Sequence, residues 1–78
     1  MKIEISSHAK ERMAKYNLSE KQVTDCVNSP KIVVEGNYGR KIAQKPLNGY
    51  VIRVIYEENN NSITVVTAYK SKRERYEI

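Results

Sequence analysis

Phenylalanine and tryptophan are missing from this chain, and cysteine and histidine occur once each. A lone cysteine, Cys26, excludes an intrachain disulfide and fits a reducing compartment. One His and one Cys among scattered carboxylates give no metal-ligand spacing, so no metal or other cofactor is expected. Glycine is nearly as scarce, at three residues. No phosphate-cradling loop, dinucleotide fingerprint or Ser-His-Asp arrangement is present. No apolar run approaches the roughly 20 residues of a membrane span. The opening M-K-I-E-I-S-S-H lacks the apolar stretch of a signal peptide. These absences lead to the expectation of a cytoplasmic protein with no membrane partner. With 78 residues the chain makes a single domain, 1–78. A domain of that size buries only about 60% of its unfolded surface, so any active site should be a shallow surface groove.

What the chain does have is positive charge and β-branched residues. Fourteen Lys and Arg against nine Asp and Glu give a net charge of +5. That balance favours a polyanionic or acidic partner: RNA, DNA or an acidic protein. The β-branched residues concentrate in Y-V-I-R-V-I-Y-E and I-T-V-V-T-A-Y-K, separated by E-N-N-N-S. This pattern predicts two central strands and a turn over 50–70. Arg53 is out of place there, with Val51 and Ile55 as its same-face neighbours. It is either a rim cation whose stem covers apolar surface or a binding group.

Earlier in the chain, Lys-Ile-Glu-Ile at 2–5 alternates like a short edge strand. Ser6 or Ser7 offers an N-cap for a helix over 8–16. Its row of Ala9, Arg12, Met13 and Tyr16 turns its apolar members to the core. His8 and Arg12 are i, i+4 neighbours at the edge of that row. Ser19 and Gln22 form a capping box, with Leu18 and Val23 as the hydrophobic staple. The second helix runs to about Asn28 with Val23, Cys26 and Val27 inward, and Pro30 stops it.

Ile32–Glu35 reads as a short strand and 40–47 as a weaker one. Asn48-Gly49 predicts a two-residue type I′ turn with Gly49 at positive φ. Its register opposes Leu47 to Tyr50, Gln44 to Arg53 and Arg40 to Glu57. An even-length second loop would then keep Ile63, Val65, Thr67 and Tyr69 on the face of Ile52, Val54 and Tyr56. Arg53 would share the other face with Ile42, Gln44, Val66 and Ala68, and a bulge would reverse that facing. The predicted class is α+β: β-α-α followed by a three- to four-stranded antiparallel meander, with both helices on one face. The tail, 71–78, is expected to be one helical turn or disordered.

Cations, tyrosines and one histidine are the groups that metal-free RNA cleavage uses. A base takes the ribose 2′-OH proton, cations hold the charge building on the phosphate, and an acid protonates the leaving oxygen. His8 has a suitable ordinary pKa. Arg12 and Arg53 can clamp a phosphate with two-pronged hydrogen bonds. Tyr69 or Tyr76 can stack a base or donate a proton. Each has a plainer reading: His8 as a surface residue at a helix start, Arg12 as a helix-surface cation, the tail charges as solvated.

The residues S-S-H-A-K-E-R-M, L-S-E-K-Q-V, Y-V-I-R-V-I-Y-E and I-T-V-V-T-A-Y resemble a family of small microbial domains of unknown function. That family shows a Ser-x-His-Ala-x-x-Arg opening and a Val-Thr-x-Tyr strand, and is grouped with the RelE/ParE toxin superfamily. The end, T-A-Y-K-S-K-R-E-R-Y-E, is similar to the C-terminus of BrnT-type toxins. The resemblance implies a RelE-like sheet and a metal-independent mRNA endonuclease of a toxin–antitoxin pair. It implies RNA, possibly ribosome-associated mRNA, and a cognate antitoxin as partners. By position it marks His8, Arg12, Arg53 and Tyr69 as the candidate catalytic set. It marks Lys45, Thr67, Lys72, Arg73, Arg75 and Tyr76 as candidate nucleic-acid contacts. Other functions remain open: a non-catalytic module of the same fold, directed at gyrase or held by an antitoxin, or a general nucleic-acid-binding domain.

Overall fold

The computed structural model describes residues 2–75. They run β1 (Lys2–Ile5), α1 (Ser7–Lys15), α2 (Glu20–Asn28), β2 (Ile32–Glu35), β3 (Lys41–Leu47), β4 (Tyr50–Asn59) and β5 (Ser62–Lys72). Short 3-10 turns occupy Asn37–Gly39 and Arg73–Arg75. The strands form one sheet in the order β1-β5-β4-β3-β2. β2 to β5 are an antiparallel meander, and β1 joins β5 in parallel. The fold is therefore α+β with both helices on one face. The sheet has five strands and is mixed, where a three- to four-stranded antiparallel meander was expected. The parallel pair exists because α1 and α2 carry the chain away after β1 before the meander begins.

Both helices start on a serine. Ser6 Oγ accepts from the Ala9 N–H at 3.0 Å. Ser19 Oγ accepts from the Gln22 N–H while Gln22 Oε1 accepts from the Ser19 N–H, which completes the capping box. α1 ends at Lys15, and just past its cap Tyr16 the chain turns at Asn17, whose φ of 57° is left-handed. There Leu18 N–H reaches the Met13 carbonyl at 2.8 Å and Asn17 N–H the Ala14 carbonyl at 3.2 Å. This satisfies the last carbonyls of the helix and drops Leu18 into the core beside Met13.

The core lies between the helices and one face of the sheet. Ala9, Met13, Val23 and Cys26 from the helices meet Ala43, Ile52, Val54, Val65 and Ala68 from the strands. Ala9, Ala43 and Ala68 are fully buried, and such small side chains let helix and sheet backbones approach closely.

The first hairpin has the expected register: Leu47 opposes Tyr50, Gln44 opposes Arg53, and Arg40 Nε lies 3.2 Å from Glu57 Oε2. Its turn is not the expected one. Asn48 takes the left-handed backbone, with φ 58°, and Gly49 does not. A type I′ turn needs positive φ at both central residues, so that assignment is corrected.

The facing of β5 is corrected as well. Tyr56 opposes Val65, but Ile55 opposes Thr67, which leaves Val66 as an extra residue in β5. A bulge of this kind reverses the side chains beyond it. Ile63 and Val65 face the helices as expected. Past the bulge, Ala68 enters the core, while Thr67 and Tyr69 turn to the face that carries Arg53 and Gln44.

Candidate functional site

Two rows of side chains meet at the free edge of β5. β1 pairs with β5 only as far as Val65, so beyond it no other strand among the described residues pairs with β5 on that side. α1 starts at this point. Ser6 N–H donates to the Val65 carbonyl at 3.1 Å, and Ser6 Oγ donates to the Val66 carbonyl at 3.0 Å. Pinned there, α1 runs beside the open edge and carries His8, Arg12 and Tyr16 at i, i+4 spacing.

The second row crosses the sheet on the face away from the helix core. Gln44, Arg53 and Tyr69 are direct cross-strand partners on β3, β4 and β5. Arg53 Nη1 donates to Tyr69 Oη at 2.6 Å, and its guanidinium lies 5.7 Å from the centre of the Tyr69 ring. Gln44 is 5% exposed, and its buried Oε1 has no hydrogen-bond partner among the described residues.

The rows touch through two tyrosines. The rings of Tyr16 and Tyr69 are 6.2 Å apart and inclined at 51°, within the range of favourable tilted aromatic pairs. Arg12 Nη2 donates to Tyr16 Oη at 3.2 Å, with its guanidinium 5.1 Å from the ring centre. Arg12, Tyr16, Tyr69 and Arg53 thus form a continuous chain of contacts around the strand edge. All four side chains are part-buried. Chemically this is two guanidinium forks, each held beside a tyrosine ring, and either fork can take an oxyanion by two-pronged hydrogen bonds.

The structure brings together three of the four candidate catalytic residues: Arg12, Arg53 and Tyr69. His8 stands exposed one turn before Arg12 on α1. Tyr16 packs against the core, as its place in the apolar row predicts, and also links Arg12 to Tyr69. Its i+4 spacing from Arg12 was the available signal. Gln44 was legible only as the partner of Arg53 in the hairpin register.

The candidate nucleic-acid contacts scatter more widely. Thr67 lies two residues before Tyr69 on the same face. Lys45 opposes Ile52 and so lies on the helix side. There it lines a small cavity of about 90 Å³ with Gln22, Asp25 and Leu47. Nearby, burial pushes the Cys26 thiol up to about 11, against a smaller downward pull from Lys45. Lys72 ends β5 opposite Tyr50. Arg73 opens the last 3-10 turn, its N–H donating to the Gly49 carbonyl at 2.9 Å, and Arg75 closes that turn. Arg73 is thereby tied to the β3–β4 turn. Tyr76 lies outside the described residues.

Comparison with known proteins gives one family. No curated protein and no solved structure matches the chain. A family model does, over residues 5–70. That span includes His8, Arg12, Arg53 and Tyr69 and ends before Lys72. The chain, matched over most of its length, belongs to the family described as Domain of unknown function (DUF4258).

Proposed function

We propose that the chain is a toxin-like, metal-independent endoribonuclease of RelE/ParE type, acting on RNA in the cytoplasm and neutralised by an antitoxin. The contact chain from Arg12 through Tyr16 and Tyr69 to Arg53 carries this reading. It holds two permanently charged forks beside a phenol in a chain of net charge +5, the groups that a phosphodiester in its transition state requires.

The mechanism follows from ordinary RNA chemistry. His8 takes the proton of a ribose 2′-OH, and the 2′ oxygen attacks the adjacent phosphorus. Arg12 and Arg53 hold the two equatorial oxygens as negative charge grows on them. The bond to the 5′ oxygen breaks, and that oxygen takes the Tyr69 proton. The Tyr69 oxygen already accepts a hydrogen bond from Arg53, so the guanidinium can stabilise the charge left behind. The products are a 2′,3′-cyclic phosphate and a free 5′-OH.

The test is incubation of purified protein with end-labelled RNA in EDTA. Cleavage leaving a 2′,3′-cyclic phosphate is expected. Arg53→Ala should slow it about 10²- to 10³-fold, the scale of removing one preorganised donor. Arg53→Lys should recover only part, because ammonium lacks the planar fork. The exposure of His8 supports a second reading, a module of the same fold that binds RNA or a protein without cutting. Intact RNA that is nonetheless bound, with binding lost in Arg53→Ala, would select the RNA-binding form of it.

A further inference from the structure

The positive charge is unevenly placed along the sheet. At the end built by the β2–β3 and β4–β5 connections, cations are matched by carboxylates. Arg40 pairs with Glu57 at 3.2 Å, Lys41 with Glu58 at 3.0 Å and Lys2 with Glu4 at 3.3 Å. At the opposite end, around Asn48-Gly49 and the last residues of β5, stand Lys45, Lys70 and Lys72. Asp25, beside the Lys45 cavity, and Glu74 bring carboxylates to the same end.

An exposed aromatic ring sits within this basic end. Tyr50 is 43% exposed. It shares the helix-side face with Ile52, and its cross-strand partner is Lys72. Lys70, opposite Ile52, holds its ammonium 5.3 Å from the centre of the Tyr50 ring. The ring is thus braced by one cation and flanked by another, with much of its surface open to solvent. Lys70 is also the residue after Tyr69, so the patch adjoins the Arg53–Tyr69 corner across the β5 backbone. Three residues of β5, about 10 Å, separate the level of Tyr69 from that of Tyr50.

We propose that Tyr50, Lys70 and Lys72 form a stacking subsite for single-stranded RNA beside that corner, an inference that rests on its RNA-binding reading. Tyr50 takes one base against its ring, and the two lysines neutralise the adjoining phosphates. Single strands are required because a base in a duplex has both faces covered by its neighbours, whereas an unpaired base is free to stack on an aromatic side chain.

Binding is measured by fluorescence anisotropy with a labelled 2′-O-methyl oligouridylate, a probe that lacks the free hydroxyl and is not consumed by cleavage. Tyr50→Ala should weaken binding about tenfold, within the range for losing one base–aromatic stack. Tyr50→Phe should stay within about twofold, because the ring and not the hydroxyl carries the contact. The Lys70→Gln/Lys72→Gln double variant should flatten the logarithmic salt slope by about 1.4, from two phosphate contacts. Wild-type affinity in a folded Tyr50→Ala protein overturns the proposal, as does a Tyr50→Phe as weak as Tyr50→Ala, or duplex RNA bound as tightly as single strands. If Tyr50→Ala fails to fold, the lysine variant decides, and an unchanged salt slope overturns it. Cleavage is scored separately on unmodified RNA. Normal cleavage with Tyr50-independent binding sinks the subsite alone. Absent cleavage with Tyr50-dependent binding sinks the endonuclease reading alone.

Discussion

Ser6 joins three parts of this molecule, and replacing it with alanine should cost more than an ordinary helix cap. Its Oγ accepts from Ala9 N–H at 3.0 Å, which caps α1. The same hydroxyl donates to the Val66 carbonyl at 3.0 Å, at the bulge of β5. Losing the cap costs about 1 kcal/mol. Losing the bond to Val66 leaves a part-buried carbonyl without that donor, at about 1 kcal/mol more. A loss of about 2 kcal/mol in a domain this small lowers Tm by about 8–16 °C. Ser6→Thr keeps both roles and should fall within about 3 °C of the parent. Ser6→Asp keeps the cap acceptor, cannot donate to Val66, and sets a carboxylate beside a carbonyl oxygen, so it should be clearly destabilised. Thermal unfolding followed by circular dichroism reads all three. A Ser6→Ala protein that melts within about 3 °C of the parent, or a Ser6→Asp protein indistinguishable from it, would refute the claim that this hydroxyl ties α1 to the bulge.

Other expectations follow from single positions. At the β3–β4 turn, Asn48→Val should cost about 1–2 kcal/mol, because a β-branched residue is strained at the φ of 58° found there. Gly49→Ala should change stability by less than about 0.5 kcal/mol, since an added Cβ meets nothing within 4 Å and the backbone is not left-handed. Urea titrations of the two variants separate these outcomes. Tyr38 is 91% exposed with φ 59°, so Tyr38→Gly should raise stability by up to about 1 kcal/mol through relief of left-handed strain. An unchanged or lower urea midpoint in that variant would count against it. Cys26 keeps its proton in the fold up to about 11, above its ordinary 9.0. The thiol of the unfolded chain ionises first as pH rises. Its contribution to stability is therefore whole below pH 9 and is lost between pH 9 and 11. A Cys26→Ala protein should show less of that alkaline decline, and an equal decline would mean that other groups cause it.

Much of the helical half was legible because its signals are local. Capping serines, the staple of Leu18 and Val23, and the i, i+4 rows depend on neighbours within one turn, and all act as read. The register of β3 against β4 was also legible, since a two-residue loop leaves one way to zip the strands. The backbone of that loop was not. Asn-Gly allows positive φ at either residue, and asparagine tolerates the left-handed region well enough to take it alone. The parallel place of β1 was beyond local reading, because it depends on where two helices deliver the chain.

The bulge at Val66 determines which residues make the candidate site, and the two-residue alternation of the strand does not show it. The run Ile63-Thr64-Val65-Val66-Thr67-Ala68-Tyr69 presents β-branched residues in either phase of a two-residue repeat. Hydrophobicity therefore could not choose between facing Tyr69 or Ala68 toward the helices. Volume chooses. Ala9 of α1 and Ala68 of β5 are both fully buried in the same core, and a tyrosine in place of Ala68 would hold α1 off the sheet. Close docking of α1 needs the small residue inward, and one inserted residue achieves it. The same shift sends Tyr69 to the opposite face, onto Arg53, at a strand edge where Tyr16 of α1 can still reach it. The packing that seats α1 and the geometry that joins Arg12 to Arg53 are thus two results of one extra residue. The signal for it was a lone alanine in a strand of bulky side chains, paired with an alanine on the first helix.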